Sequence, residues 1–195
     1  TAGYPGPLRL PFLGLASRSA QPGGQSPADR GFIEAAYDEE LLGVDRALAR
    51  LFDALERESS REPLLVMFTS DHGEELFDHG GFEHGHALHA ELLHVPFVVW
   101  APGLRAARVD APVSHVDLFP TILDALAVPA PKGLTGVSLW PLLGGAAPPP
   151  ERLLVAEKQL YGPERRAWLR WPWKAIVTQG AAPQLYQLAR DPKET

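Results

Sequence analysis

The run Leu64-Leu65-Val66-Met67-Phe68-Thr69, followed at once by Ser70-Asp71-His72-Gly73-Glu74, decides the reading of this chain. A short apolar run without polar alternation predicts a buried strand of the kind found in parallel sheets. Ligands in α/β sheets bind outside the carboxyl ends of strands. Asp71 and His72 therefore stand at the favoured place, and Gly73 lets the backbone turn sharply beyond them.

Upstream, Tyr37, Leu41, Val44, Leu48, Leu51 and Leu55 recur every three or four residues, with charges between them. That spacing predicts an amphipathic helix from about Gly31, ending near Ser59-Ser60 before Pro63. Downstream, Pro96-Phe97-Val98-Val99-Trp100 predicts a second strand that ends at the turn Ala101-Pro102-Gly103. Leu118 to Val128 reads as a helix; Pro120 fits only its first turn, which makes Asp117 the N-cap. Helix and buried strand in alternation are the rhythm of an α/β sheet. Beyond Pro148-Pro149-Pro150, the pieces Leu153–Ala156, Ala167–Trp171, Lys174–Thr178 and Gln184–Leu188 predict a small antiparallel β appendage. The expected organisation is an irregular lead-in over 1–30, an α/β unit over 31–147 and a β subdomain over 148–195.

Composition excludes several classes. The 195 residues contain no cysteine, which removes disulfides, thiolate metal sites and a cysteine nucleophile from this stretch. A formal charge of −6 argues against a nucleic-acid partner. No apolar run approaches the roughly 18 residues of a membrane span. The opening TAGYPGPLRL lacks the plan of a signal peptide, so localisation stays open.

Six of the seven histidines fall between His72 and His94, among Asp71, Glu74, Glu75, Asp78, Glu83 and Glu91. An aspartate oxygen and a histidine nitrogen at a strand end suit a divalent cation. Asp71 can equally cap a following helix, with Glu74 as its capping-box partner. The spacing alone leaves both readings open. His84-Gly85-His86 reads as a solvated loop, and His89 and His94 as ordinary helix and loop residues. The His-Glu-x-x-His spacing of zinc proteases is missing.

These residues resemble the sulfatase family of the alkaline-phosphatase superfamily. Phe68-Thr69-Ser70-Asp71-His72-Gly73-Glu74, then His79-Gly80 and His84-Gly85-His86, look like its metal strand and the loop after it. Tyr37-Asp38-Glu39-Glu40, Leu93-His94-Val95-Pro96-Phe97, His115-Val116-Asp117-Leu118-Phe119-Pro120-Thr121, Gly136-Val137-Ser138-Leu139-Trp140 and Leu185-Tyr186-Gln187-Leu188 follow in the family's order. The resemblance implies an alkaline-phosphatase-like sheet flanked by helices, here its second half only, carrying the small β appendage. It implies a metal-dependent sulfuric ester hydrolase acting on small-molecule or carbohydrate sulfate esters.

By position, the resemblance makes Asp71 and His72 metal ligands. Many members with calcium carry asparagine where His72 stands, so the nitrogen donor widens the choice to manganese or zinc. His84 falls where many members carry a lysine that contacts the sulfate or protonates the leaving group, and His86 would assist it. Paired aspartates and the formylglycine nucleophile, made from Cys or Ser in a Cys/Ser-x-Pro-x-Arg motif, belong to an N-terminal half expected outside this chain. That missing half is then the expected partner. Ser26-Pro27-Ala28-Asp29-Arg30 departs from the nucleophile motif and reads as loop. Two rivals remain: a phosphodiesterase or phosphonate-ester hydrolase of the same superfamily, and a non-catalytic metal- or partner-binding relative.

Overall fold

The computed structural model describes residues 26–60, 62–148, 151–157, 160 and 162–195; most of the expected lead-in, 1–25, lies outside them. The chain begins its described course with helix α1, Pro27–Ser59. Its start corrects the loop reading of Ser26 to Arg30. The Ser26 hydroxyl accepts from the Asp29 N–H at 3.2 Å, and the Asp29 carboxylate accepts from the Ser26 N–H at 3.0 Å. Pro27 occupies the first turn, where a missing N–H costs nothing. Asp29 therefore works as a capping residue, a role hidden by the Ser-Pro loop signal. Ile33 and Ala36 are buried, and Arg30 lies 4.6 Å over the Phe77 ring. Farther along α1 the stripe is there but open: Leu41, Val44 and Leu51 are about half exposed.

Strand β1, Val66–Thr69, pairs with β4, Phe97–Trp100, and the pairing is antiparallel, with Phe68 opposite Val98. This corrects the expectation of a buried parallel strand. β1 is half-buried throughout and β4 alternates, leaving Val98 and Trp100 exposed on one face. An apolar run alone cannot tell a parallel strand from an antiparallel one with an open face. Between them lie a two-residue ribbon, β2 (Glu75–Leu76) with β3 (Phe82–Glu83), and the short helix α2, Ala90–Leu93.

A 3-10 turn, His115–Asp117, leads into α3, Leu118–Ala125, and α4 follows at Trp140–Leu143. α3 ends earlier than its apolar pattern suggested, and Ala127 takes a left-handed φ of 53°. Asp117 does not cap α3 with its side chain. Its fully buried carboxylate instead accepts from the N–H groups of Ser114 (2.8 Å) and Val137 (2.9 Å) and is gripped by the Arg152 guanidinium. Burial opposes ionisation there, but Arg152 and the two N–H donors outweigh it and hold the carboxyl below its usual range. Gly136 permits the approach, since a Cβ at that position would overlap the Val116 carbonyl.

The last four strands, β5 (Leu154–Glu157), β6 (Arg165–Arg170), β7 (Trp173–Thr178) and β8 (Gln184–Gln187), form an antiparallel meander in that order. Ala167, Ile176 and Tyr186 from the sheet pack with Leu88, with Ala156 and Leu188 beside them. Leu88 stands in the loop just before α2, so this small core clamps the histidine-rich segment onto the meander. A buried ion pair, Lys174 Nζ to both Glu194 oxygens at 2.7 and 2.9 Å, ties the last residues to β7, and the Glu194 carbonyl meets His79 Nε2 at 3.0 Å across that interface.

Candidate active site

Strand β1 delivers Asp71 and His72 to its carboxyl end. No helix starts there, so Asp71 is not a helix N-cap and Glu74 is not its capping partner. Asp71 Oδ1 accepts from the His72 N–H at 3.0 Å. Its other oxygen lies 3.7 Å from His72 Nε2. His72 Nδ1 donates to the Gly73 carbonyl at 2.9 Å, which holds the proton on that nitrogen and leaves the Nε2 lone pair facing outward. One carboxylate oxygen and one imidazole nitrogen thus stand side by side at the surface, where the two side chains are 87% and 44% exposed. Gly73 is required for its position: its N–H bonds the Leu92 carbonyl at 2.9 Å, and a Cβ would overlap the carbonyl of Glu91.

The β2–β3 ribbon supplies the third group. Its register sets Glu75 opposite Glu83, so one step outward Glu74 stands across from His84. His84 Nδ1 bonds Glu74 Oε1 at 3.1 Å, and the His84 ring stacks on His72 with centroids 3.9 Å apart. Glu83, just before it, holds φ of 66°, a strained conformation for a non-glycine residue. With Nδ1 committed to Glu74, the remaining nitrogen of His84 is available to a ligand. The structure therefore brings Asp71, His72 and His84 together, and adds Glu74 as the group that orients His84.

His86 goes elsewhere. Its Nε2 meets Glu75 Oε2 at 2.7 Å, and Glu75 is only 1% exposed. The other Glu75 oxygen accepts the N–H groups of His79 (3.0 Å) and Gly81 (2.6 Å). Burial disfavours the Glu75 charge, but His86 and the two N–H donors together outweigh it and hold its carboxyl below the ordinary range. The hydrogen bond to Glu75 raises His86 above the ordinary histidine value, against the burial that lowers it. Gly81 packs on this pair so closely that a Cβ would overlap both partners. His86 is thus a strut of the loop that carries His84.

Deeper still, His79 bonds Glu91 Oε1 through Nδ1 at 2.9 Å and the Glu194 carbonyl through Nε2 at 3.0 Å. Burial works against its charge, but those acceptors raise it above the usual range. His89 stacks face to face on His79 at 3.8 Å. Burial, then the charges of His79 and Lys174, push His89 down to about 4, so it is neutral near pH 7. Sequence alone read Glu74 as a capping partner and left Glu75 and Glu91 without a role; the ribbon pairing at residues 75 and 83 sets where Glu74 and Glu75 point, and two-residue strands are too short to show periodicity.

Comparison with known proteins gives the family. The model of the family described as Sulfatase matches residues 22–128. The chain belongs to the sulfatase family. Arylsulfatase K of Gallus gallus is 34% identical over 83% of this chain and 32% of its own length. The crystal structure of phosphonate monoester hydrolase of Agrobacterium radiobacter superposes with a TM-score of 0.76 at 28% identity, covering 88% of this chain and 38% of that one. A solved structure in complex with its substrate D-glucosamine-2-N,6-O-disulfate superposes with a TM-score of 0.65 at 25% identity, covering 79% of this chain and 33% of that one. The sulfatase-family chain is α/β, with the alkaline-phosphatase-like fold of these neighbours. It spans about a third of the length of the curated relatives it matches. No helix among the described residues is long and apolar enough to cross a membrane.

Proposed function

We propose that the intact protein hydrolyses sulfate esters at a divalent metal centre to which this chain contributes Asp71 and His72. One observation carries the reading: an aspartate oxygen 3.7 Å from an imidazole nitrogen at the end of β1, with the His84 ring stacked beside them. Both donor atoms fit a cation, since one Asp71 oxygen and the Nε2 lone pair of His72 remain open outward. The mixed oxygen and nitrogen set favours manganese or zinc over calcium. A bound cation there supplies Lewis-acid stabilisation of charge on the ester oxygens.

Within this chain, Asp71 and His72 orient the ester, and His84 gives a proton to the departing alcohol oxygen from the nitrogen that Glu74 leaves free. Glu74 accepts a hydrogen bond from Nδ1–H and so fixes the ring, and the outer nitrogen, having given up its proton, recovers one from solvent after each turnover. The nucleophile, a formylglycine, and the remaining metal ligands come from residues outside this stretch, in keeping with its spanning about a third of its relatives. On its own the stretch is then expected to be inactive. The helix and β1–β4 region, from Pro27 to about residue 147, would form part of the catalytic unit, and 148–195 the β subdomain. The sulfated amino sugar bound by one solved relative supports a carbohydrate sulfate as substrate.

Comparing aryl sulfate with aryl phosphodiester and phosphonate monoester turnover by the intact protein tests the reading. Sulfate preference is the expected result. A clear preference for the phosphorus esters would move the chain to the second reading, which its superposition on a phosphonate monoester hydrolase favours. Metal analysis of Asp71→Ala should show the loss of one ion; unchanged metal content would remove Asp71 from the ligand set.

A further inference from the structure

A second cluster, facing the β meander, has donor chemistry of its own. One ligand atom from each of His79, His89 and Glu91 lies within 4.8 Å of the others. We propose that His79, His89 and Glu91 form a second metal site, separate from Asp71 and His72, that takes zinc or a transition ion of similar size.

Three observations carry this. First, His89 Nδ1 is buried and has no hydrogen-bond partner, an arrangement that costs about 1–3 kcal/mol for a polar atom and is rare without an unseen ligand. Second, both imidazoles are held from behind. His79 Nε2 donates to the Glu194 carbonyl at 3.0 Å, and His89 Nε2 faces the Tyr186 hydroxyl at 3.5 Å. Outer contacts of this kind fix the tautomer of a ligating histidine and leave Nδ1 for the metal. Third, Glu91 Oε1 is already 2.9 Å from His79 Nδ1, close to the spacing of about 3.4 Å between ligands of a tetrahedral zinc. The two rings, stacked at 3.8 Å, have to turn out of parallel for both lone pairs to meet one ion.

Two imidazoles and one carboxylate form a zinc donor set that leaves a fourth position open. Metal binding expels the proton shared by His79 Nδ1 and Glu91. Lys174, the nearby cation, is already paired with Glu194 at 2.7 Å, so its charge does not stand alone against the ion. A metal here would pin the loop after β2 and the start of α2 to the last residues of the chain. This inference is independent of the sulfatase reading of Asp71.

The test strips the intact protein with a chelator and titrates it with Zn2+ and Co2+, in wild type, His89→Phe, Glu91→Gln and Asp71→Asn. Wild type should retain one more equivalent of zinc after desalting than His89→Phe or Glu91→Gln. Its cobalt form should show the intense visible absorption of a four-coordinate site, kept in Asp71→Asn and lost in His89→Phe. Equal zinc uptake by folded wild type and His89→Phe would overturn the proposal, as would a cobalt spectrum that His89→Phe leaves unchanged. If both cluster variants fail to fold, X-ray absorption on zinc-loaded Asp71→Asn decides: two imidazoles on the remaining ion support the site, and their absence removes it.

Discussion

Two sets of imidazole–carboxylate pairs share the segment from Asp71 to Glu91, built from the same residue types, and their surroundings separate them. In the outer set, His72 and His84 each commit one nitrogen to a carbonyl or carboxylate and keep the other toward solvent. In the inner set, His86 leans on a carboxylate that is 1% exposed, while of the stacked rings His79 has acceptors on both nitrogens and His89 keeps a buried Nδ1 without a partner. A histidine tied to a buried carboxylate, as His86 is, holds a loop in place; a ligand site needs a nitrogen that is open, as in His72, His84 and His89, or that a metal can free of its proton, as in His79. The difference teaches that availability, rather than residue type, marks the reactive half of a histidine-rich loop.

The largest effect should come from the inner set. Glu75→Ala leaves His86 and the N–H groups of His79 and Gly81 without their acceptor in a buried place. Breaking such a pair costs about 3–5 kcal/mol, whereas Glu74→Ala, on a more exposed pair, should cost under ~1 kcal/mol. Urea unfolding of the intact protein measures both. Equal losses would erase the distinction between the two sets.

Next comes the outer set. His84→Gln should lower kcat on the order of 100- to 10,000-fold for esters with poor leaving groups, with KM little changed. Esters whose leaving group is already a weak base should lose far less, because they need no proton at departure. A uniform loss across leaving groups would make His84 a binding residue instead.

Much of this was legible beforehand, for reasons that differ along the chain. Asp71 and His72 could be singled out because a strand end and a glycine turn are local features, whereas His84 was singled out by the family resemblance alone. The four strands of the meander were visible because Gly and Pro punctuate them. The antiparallel partnership of β1 was not visible, since pairing with Phe97–Trp100 depends on residues thirty positions away and both strands are apolar. Asp29 and Asp117 were misjudged because capping depends on which N–H groups converge in space. His86 looked equivalent to His84, only two positions earlier, yet the β2–β3 ribbon turns one outward and the other onto Glu75.

A smaller effect follows from pH. The folded state raises His86, so its contribution is present below the ordinary value of 6.5 and fades as pH climbs through the raised one. Glu75 is lowered, so its contribution is present above the ordinary 4.5 and fades as pH falls through the lowered value. The stability gap between wild type and Glu75→Ala should therefore be widest between pH 4.5 and 6.5 and narrow on either side. Chemical denaturation across that range checks it. A gap that grows steadily with pH would mean that the pair is not ionised as a pair.

The smallest effect belongs to Glu74→Gln, and it separates orientation from proton transfer. Glutamine keeps an oxygen that can accept from His84 Nδ1 at the 3.1 Å position, so the ring should stay in place against His72. What is lost is the negative charge behind the ring. Turnover should fall about 10-fold, the scale of losing a group behind a reactive histidine, while stability changes by less than ~0.5 kcal/mol. Glu74→Ala should add a loss of ring position, visible as a further fall in kcat. If the two variants behave alike, charge alone matters, and the hydrogen bond across the ribbon does not set where His84 points.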